Sequence, residues 1–460
     1  MDIKNQATRI RILSLKAPQM RAFHMSWFAF FICFFGWFGV APLMAVIRED
    51  LSLTNAQIGN TIIASVAVTV LVRLLIGPLC DRFGPRKAYT GLLIFGSLPV
   101  MGIGFAQTYE HFLLFRLAIG SIGAAFVITQ YHTSMMFAPN CVGTANATSA
   151  GWGNLGGGVT QMVMPLIFSA LLLLGVESAL GWRLAMVVPG VIIFFTGIAY
   201  FFLTQDAPDG NLSELRARGE LPAMTNKRSL HSFLQGARDY RVWALFIVYA
   251  ACFGIELTIN NIAAIYFFDH FSLDLKTAGL IAGLFGLMNI FARTLGGYTS
   301  DLSAARWGLK GRVRLLFALL LVEGFALMLF AQMDVLLYAI MAMLTFSLFV
   351  QMAEGATFGV VPFVNRKALG TVAGIVGAGG NVGAVMAGFL FRSDAYTMQQ
   401  ALFILGMLVV VSSVFALLVR FTPENAEQEN QAFENAVALR FQDTPTPVPA
   451  ANPMTTRSRV

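Results

Sequence analysis

The chain has 460 residues, 57% of them hydrophobic and 12% charged, with a mean hydropathy of +0.70. A soluble globular domain carries roughly 25% charged residues, so there are too few charges to cover a water-facing surface, which disfavours a soluble enzyme, a nucleic-acid binder and a disordered chain. The formal net charge of +7 is read as membrane orientation rather than as a sign of a polyanionic partner.

Apolar runs of about 20 residues are long enough to cross the hydrocarbon core of a bilayer. Twelve such runs follow one another at 22–47, 56–79, 88–106, 110–138, 142–175, 182–204, 241–268, 277–299, 313–332, 335–364, 368–391 and 398–421. The first is too long and too rich in Trp and Phe for a cleaved signal peptide. Lys and Arg cluster in the N-terminal tail, the span 2–3 loop, the central loop, the span 8–9 loop, the span 10–11 loop (Arg366, Lys367) and the C-terminal end, whereas the opposite side carries only Arg48, Arg183, Lys276 and Arg392. The positive-inside rule then places both termini in the cytoplasm. The expected organisation is a cytoplasmic tail over 1–21, a six-helix lobe over 22–204, a cytoplasmic linker over 205–240, a second six-helix lobe over 241–421, and a disordered tail over 422–460 that ends in a Thr/Pro-rich stretch. Cys33, Cys80, Cys141 and Cys252 show no paired spacing and the histidines are scattered, so neither a disulfide framework, a metal nor a cofactor is expected.

Two segments recur across the halves. Arg73 to Asp81 reads RLLIGPLCD and Arg293 to Asp301 reads RTLGGYTSD; GTANATSAGWGNLGGG begins at Gly143 and GTVAGIVGAGGNVGAV at Gly370. Each second copy lies about 220 residues after its first, and such internal duplication marks a two-lobed secondary transporter with its site between the lobes. The glycines step along one helix face and suit close backbone packing. Asn154 and Asn381, at equivalent places in the two copies, are buried amides that need either an interhelical hydrogen bond or a ligand.

An arginine within a span costs roughly 2.5–3.5 kcal/mol even on a lenient scale. Arg73 and Arg293 stand at matching depths, and neither of their own helices offers an acid there. They are therefore read as a pair of cations facing an anion, and the planar fork of Arg fits a planar oxyanion. Arg116, near the outer end of span 4, is read as snorkelling or as structural. Tyr249, Phe253, Glu256 and Asn260 share a face of span 7, and Phe34 and Phe126 complete an aromatic enclosure. Glu256 and Glu354 are deep carboxyls suited to proton coupling, and Glu323 is a weaker case.

At these residues the chain resembles the major facilitator superfamily. The loop GPLCDRFGPRK from Gly77 is similar to its span 2–3 signature, and FRLAIGSIGAAF from Phe115 to its span 4 motif. More narrowly it resembles the nitrate/nitrite porter family: GWGNLGGGVTQ from Gly151 and GAGGNVGAVMAG from Gly377 look like the two nitrate signatures, and FGIELTINNIA from Phe253 and QMAEGATFGVVPFVNRKALG from Gln351 look like the assimilatory branch. Ile265 departs from that branch's acidic residue. The resemblance implies an all-α integral membrane fold of twelve helices in two pseudo-symmetric six-helix lobes. It implies that Arg73 and Arg293 clamp nitrate, that Asn154 and Asn381 hydrogen-bond it, and that Phe34, Phe126, Tyr249 and Phe253 enclose it. The expected activity is nitrate import, and nitrite import with it, across the inner (cytoplasmic) membrane by a monomer, coupled to protons through Glu256 and Glu354. A nitrate/nitrite antiporter, a non-transporting nitrate sensor and an organic-anion exporter are the alternatives. A membrane enzyme is the least favoured class, because no nucleophile–base or metal constellation is present.

Overall fold

Long apolar segments satisfy their backbone hydrogen bonds internally by forming helices, the one open-ended structure a bilayer tolerates. The computed structural model describes residues 5–138, 141–220, 236–364, 369–393, 395–422 and 427. Among them are twelve helices of membrane-crossing length and composition: α1 (Pro18–Asp50), α2 (Asn55–Phe83), α3 (Pro85–Phe105), α4 (Tyr109–Met136), α5 (Val142–Leu173), α6 (Ser178–Leu203), α7 (Tyr240–Phe271), α8 (Leu275–Ala304), α9 (Arg306–Phe330), α10 (Leu336–Val360), α11 (Leu369–Arg392) and α12 (Met398–Ala416). The linker stretch 221–235, Arg366, Lys367 and the tail expected to be disordered lie outside the described residues, apart from Thr422 and Glu427; so does the side chain of Asp81.

Start signals in the sequence fix several helix ends. Thr54 and Gln57 form a capping box on α2, Thr397 and Gln400 do the same for α12, and Asp274 accepts the Lys276 and Thr277 N–H groups at the start of α8. Spans 8 and 9 differ from the expected pattern, in which a polar loop separates them. Helix continues from Ala292 to Phe330 with a single break at Gly308 (φ 61°). Within that stretch Arg312 pairs with Asp301 at 2.7 Å and donates to Ser300 Oγ at 3.2 Å. Hydropathy reports where apolar residues end, not where the helix does.

Packing repeats across the halves. In the first half α1 lies on α5 and α3 on α6; in the second α7 lies on α11 and α9 on α12. The most extensive contacts between the halves are those of α2 with α11 and of α5 with α8. Large apolar side chains of α3, α6, α9 and α12, such as Phe95, Phe195, Phe325 and Val411, are exposed and form the surface that faces lipid. By contrast every residue of α7 from Ala251 to Phe267 is buried, so this helix is an axis of the assembly. On the face opposite the termini the halves are tied by Arg48, which donates to both carboxylate oxygens of Asp269 at 2.7 and 2.8 Å.

The α5–α8 crossing depends on glycine. A Cβ on Gly158 would lie 2.6 Å from the Gly286 Cα, and one on Gly286 would lie 2.3 Å from the Gly158 Cα. Gly158→Val and Gly286→Val should each destabilise the fold by about 1–3 kcal/mol through overpacking, read as a lower thermal midpoint and poorer monodisperse yield in detergent. Gly91→Ala, at a position where a Cβ meets nothing within 4 Å, should leave both unchanged.

Candidate functional site

Arg73 on α2 is 7% exposed. Its Nε and Nη2 donate to the Gly123 carbonyl of α4 at 3.4 and 3.1 Å, and its Nη1 to the Gly377 carbonyl of α11 at 3.2 Å. The guanidinium lies 5.3 Å from the Phe126 ring centroid and 5.8 Å from that of Phe253. Arg293 on α8 is 3% exposed. Its Nη1 pairs with Glu354 Oε2 of α10 at 2.5 Å, and its Nη2 donates to the Tyr249 hydroxyl at 2.9 Å. It lies 6.0 Å from the same Phe253 ring. Phe253 of α7 thus stands between the two cations.

The expectation that Arg293 has no acid beside it is corrected here. The acid comes not from its own helix but from α10, 61 residues further along the chain. The two arginines consequently differ: Arg293 has a counter-ion, while the hydrogen-bond partners of Arg73 are neutral carbonyls. Around them the aromatics form one cluster. Tyr249 stacks on Phe253 at 5.1 Å, Phe126 meets Phe253 at 6.4 Å, and Phe358 of α10 stands edge-on to Tyr249 at 5.1 Å and to Phe126 at 6.1 Å.

The repeated glycine segments meet this cluster crosswise. Gly377 of the second half holds Arg73 of the first, while a Cβ added at Gly151 of the first would lie 3.0 Å from the Asn289 carbonyl oxygen and 3.9 Å from the Arg293 Cβ. Asn381, one turn from Gly377, is fully buried with neither amide atom partnered. Asn154 is also buried; its Nδ2 donates to Glu256 Oε2 at 3.3 Å and its Oδ1 has no partner. Glu256 Oε1 accepts from Asn289 Nδ2 at 2.7 Å. Glu354 Oε1 has no hydrogen-bond partner.

Phe34, an expected site residue, lies outside this cluster, and Arg116, read as snorkelling or structural, takes the second role. Phe34 is buried among Phe30, Trp37 and Phe38, at 4.5, 5.3 and 5.6 Å; Phe30, one turn earlier on α1, is the ring that reaches Phe126, at 5.7 Å. Arg116 does not snorkel. It is 1% exposed, with Nη1 donating to the Trp37 carbonyl at 3.0 Å and Nη2 to Asn261 Oδ1 at 2.9 Å.

The Major Facilitator Superfamily model matches residues 26–388. The chain is 42% identical to High affinity nitrate transporter 2.5 of Arabidopsis thaliana, over 92% of this chain and 84% of that one. It is 39% identical to High-affinity nitrate transporter 2.3 of Oryza sativa subsp. japonica, over 92% and 81%. This chain belongs to the Major Facilitator Superfamily, in its nitrate/nitrite porter branch. The branch includes Nitrate/nitrite transporter NrtP of Picosynechococcus, 30% identical over 79% of this chain and 83% of that one. A bacterial homolog of the human lysosomal transporter Spinster, in its inward-facing, unoccupied conformation, superposes with a TM-score of 0.67 at 15% identity over 89% of this chain and 99% of that one, and so shares the fold.

In this porter, sequence reasoning missed Phe358 and Asn289. Phe358 carried a signal, since it is four residues after Glu354 on α10 and shares its helix face; Asn289 lies in the 3-10 stretch Met288–Ile290, before the break at Phe291, and carried none. Glu354→Ala should leave Arg293 buried without its counter-ion at a cost of about 3–5 kcal/mol, seen as a large fall in thermal midpoint in detergent. Glu354→Gln, which keeps an acceptor, should lose less. An unchanged midpoint in Glu354→Ala would show that Arg293 finds its charge balance elsewhere.

Proposed function

We propose that this chain imports nitrate, and nitrite with it, by proton symport, exposing a site between its two six-helix halves alternately to either side of the cytoplasmic (inner) membrane. The bodies that move are taken as 22–204 and 241–421, joined by the 205–240 linker, with both termini in the cytoplasm.

One observation carries the reading: two buried guanidinium groups face a shared aromatic ring, one of them with only neutral hydrogen-bond partners. Nitrate is a planar, delocalised anion of a size such a site encloses, and a guanidinium fork binds planar oxyanions edge to edge. The rings of Phe126, Tyr249, Phe253 and Phe358 exclude water and so strengthen the attraction. The unpartnered Asn381 amide supplies a further donor, whereas the Asn154 amide N–H is given to Glu256 and its free oxygen, an acceptor, offers nitrate no hydrogen bond.

The coupling follows from Glu354. In the empty site it neutralises Arg293. Nitrate takes Arg73 without competition but must share or displace Glu354 at Arg293. A displaced carboxylate in a desolvated cluster takes up a proton, so anion and proton bind together and favour each other reciprocally. Glu256, held by Asn154 from the first half and Asn289 from the second, conveys the loaded state across the interface.

In proteoliposomes, an inside-alkaline gradient should accelerate nitrate uptake by the wild-type chain. Arg73→Lys and Arg293→Lys should each lower uptake at least tenfold in folded protein, since Lys keeps the charge but loses the fork; retention of wild-type uptake would rule out the clamp. Glu354→Gln and Glu256→Gln should keep nitrate counterflow but lose the response to the pH gradient, and an undiminished response would remove the carboxyls from the coupling. One feature favours exchange instead: Arg73 has no counter-ion when the site is empty, a state more cheaply returned loaded with nitrite. Counterflow of labelled nitrite against nitrate at clamped pH separates the two.

A further inference from the structure

Arg116 is not explained by the central pair. It is fully buried, its two bonded partners are a carbonyl and an amide oxygen, and its Nε has no partner. No ion pair involves it among the described residues. A buried cation with neutral partners is expensive, and Arg73 shows the same pattern.

Its position links it to Arg73. Arg116 precedes Gly123, whose carbonyl holds Arg73, by seven residues on α4. The 3-10 stretch Gly120–Ala124 begins between them, and Arg116, nearer the start of α4, stands on the side of the central site towards the face opposite the termini. Trp37 fills the interval. A Cβ on Gly123 would lie 2.5 Å from its ring, its carbonyl takes Arg116 Nη1, and its indole N–H donates to the Ser65 carbonyl at 2.8 Å.

The partners of Arg116 divide between the halves. Trp37 belongs to the first half, as Arg116 does; Asn261 belongs to the second. Asn261 occupies Nη2, and the adjacent Nε is free. These two N–H groups form one edge of the guanidinium, the edge that binds an oxyanion in bidentate fashion. The Arg48–Asp269 pair bridges the halves at the same face. Parting of the halves there removes Asn261 and Asp269 together and bares that edge, while the Trp37 carbonyl still orients the group.

We propose that Arg116 is a second site for a small monovalent oxyanion, covered by Asn261 in this state and opened to the outer solution when the halves part, from which the anion passes Trp37 to reach Arg73. The assignment presupposes nitrate import by this chain. The test is the half-saturation for nitrate measured from each side of proteoliposomes of defined orientation. Arg116→Gln, which can still donate to Trp37, should raise the outer value at least tenfold and leave the inner value within twofold of wild type. An outer value within twofold of wild type, or an equal rise on both sides, overturns the proposal. Should Arg116→Gln fail to fold, Asn261→Asp decides. It keeps Arg116 but sets a carboxylate on the anion-binding edge, so the outer value should again rise tenfold, and a wild-type outer value overturns the site. Absence of any nitrate uptake by the wild-type chain refutes the transport reading instead, so the two failures are distinguishable.

Discussion

The constraint on which this structure depends is the burial of guanidinium groups at the depth of a hydrocarbon core. Arginine does not escape the cost by losing its proton, so each buried arginine needs oxygens close by. The chain provides them largely from backbone. The Gly123 carbonyl lies in a 3-10 stretch, Gly120–Ala124, that interrupts α4 where Arg73 meets it, and a second 3-10 stretch, Met288–Ile290, leads into Arg293. Glycines make these approaches feasible: at Gly355 of α10 a Cβ would collide with the Arg293 carbonyl, and at Gly380 of α11 it would strike the Phe253 ring. The glycine-rich signature of α11 therefore serves packing and the arginine at once, because the helix contact it permits brings the Gly377 carbonyl of the second half to Arg73 of the first.

The fold was legible in the sequence because span length and hydropathy are properties of one segment at a time, and because the duplication exposed the pairing of the halves. The arginine pair was legible for the second reason: Arg73 and Arg293 sit at the same place in two copies of one motif. What escaped were the contacts between segments that no repeat relates. Glu354 reaches Arg293 from α10, and nothing in α8 announces it. Phe34 and Phe30 lie one turn apart on a helix where nearly every residue is apolar, so periodicity alone offers no means of choosing which ring meets Phe126. Arg116 looked like a side chain near a water-facing end because its distance along α4 is short; its burial arises from Trp37 and Asn261, which belong to two other helices.

The duplication is repeated in helix packing and unequal in chemistry. At the level of the site α7 carries Tyr249, Phe253 and Glu256, while α1 carries a run of aromatic and aliphatic side chains from Phe28 to Phe38. Asn154 accordingly finds Glu256 across the interface, whereas the Asn381 amide of the second half is left unpartnered. The same imbalance gives Arg293 a carboxylate and leaves Arg73 with carbonyls. In the proposed function this difference leaves Arg73 open to the anion and ties the contact at Arg293 to Glu354.

The two faces of the assembly are held differently, and this bears on which part must move. On the face opposite the termini, polar contacts join the halves directly: Arg48 with Asp269 and Arg116 with Asn261. Towards the termini, the ion pairs Arg241–Asp239 and Arg312–Asp301 each lie within the second half and stiffen it without fastening it to the first. Opening of the opposite face therefore requires the exchange of specific hydrogen bonds for water, and one of those exchanges bares a cation. The free energy lost when Asn261 leaves Arg116 is recovered only if an anion or water replaces it, so on the proposal above an anion at Arg116 would stabilise the open state through the same group that holds the closed one. A gate of that kind would be biased by the species it admits, without any element that senses it at a distance.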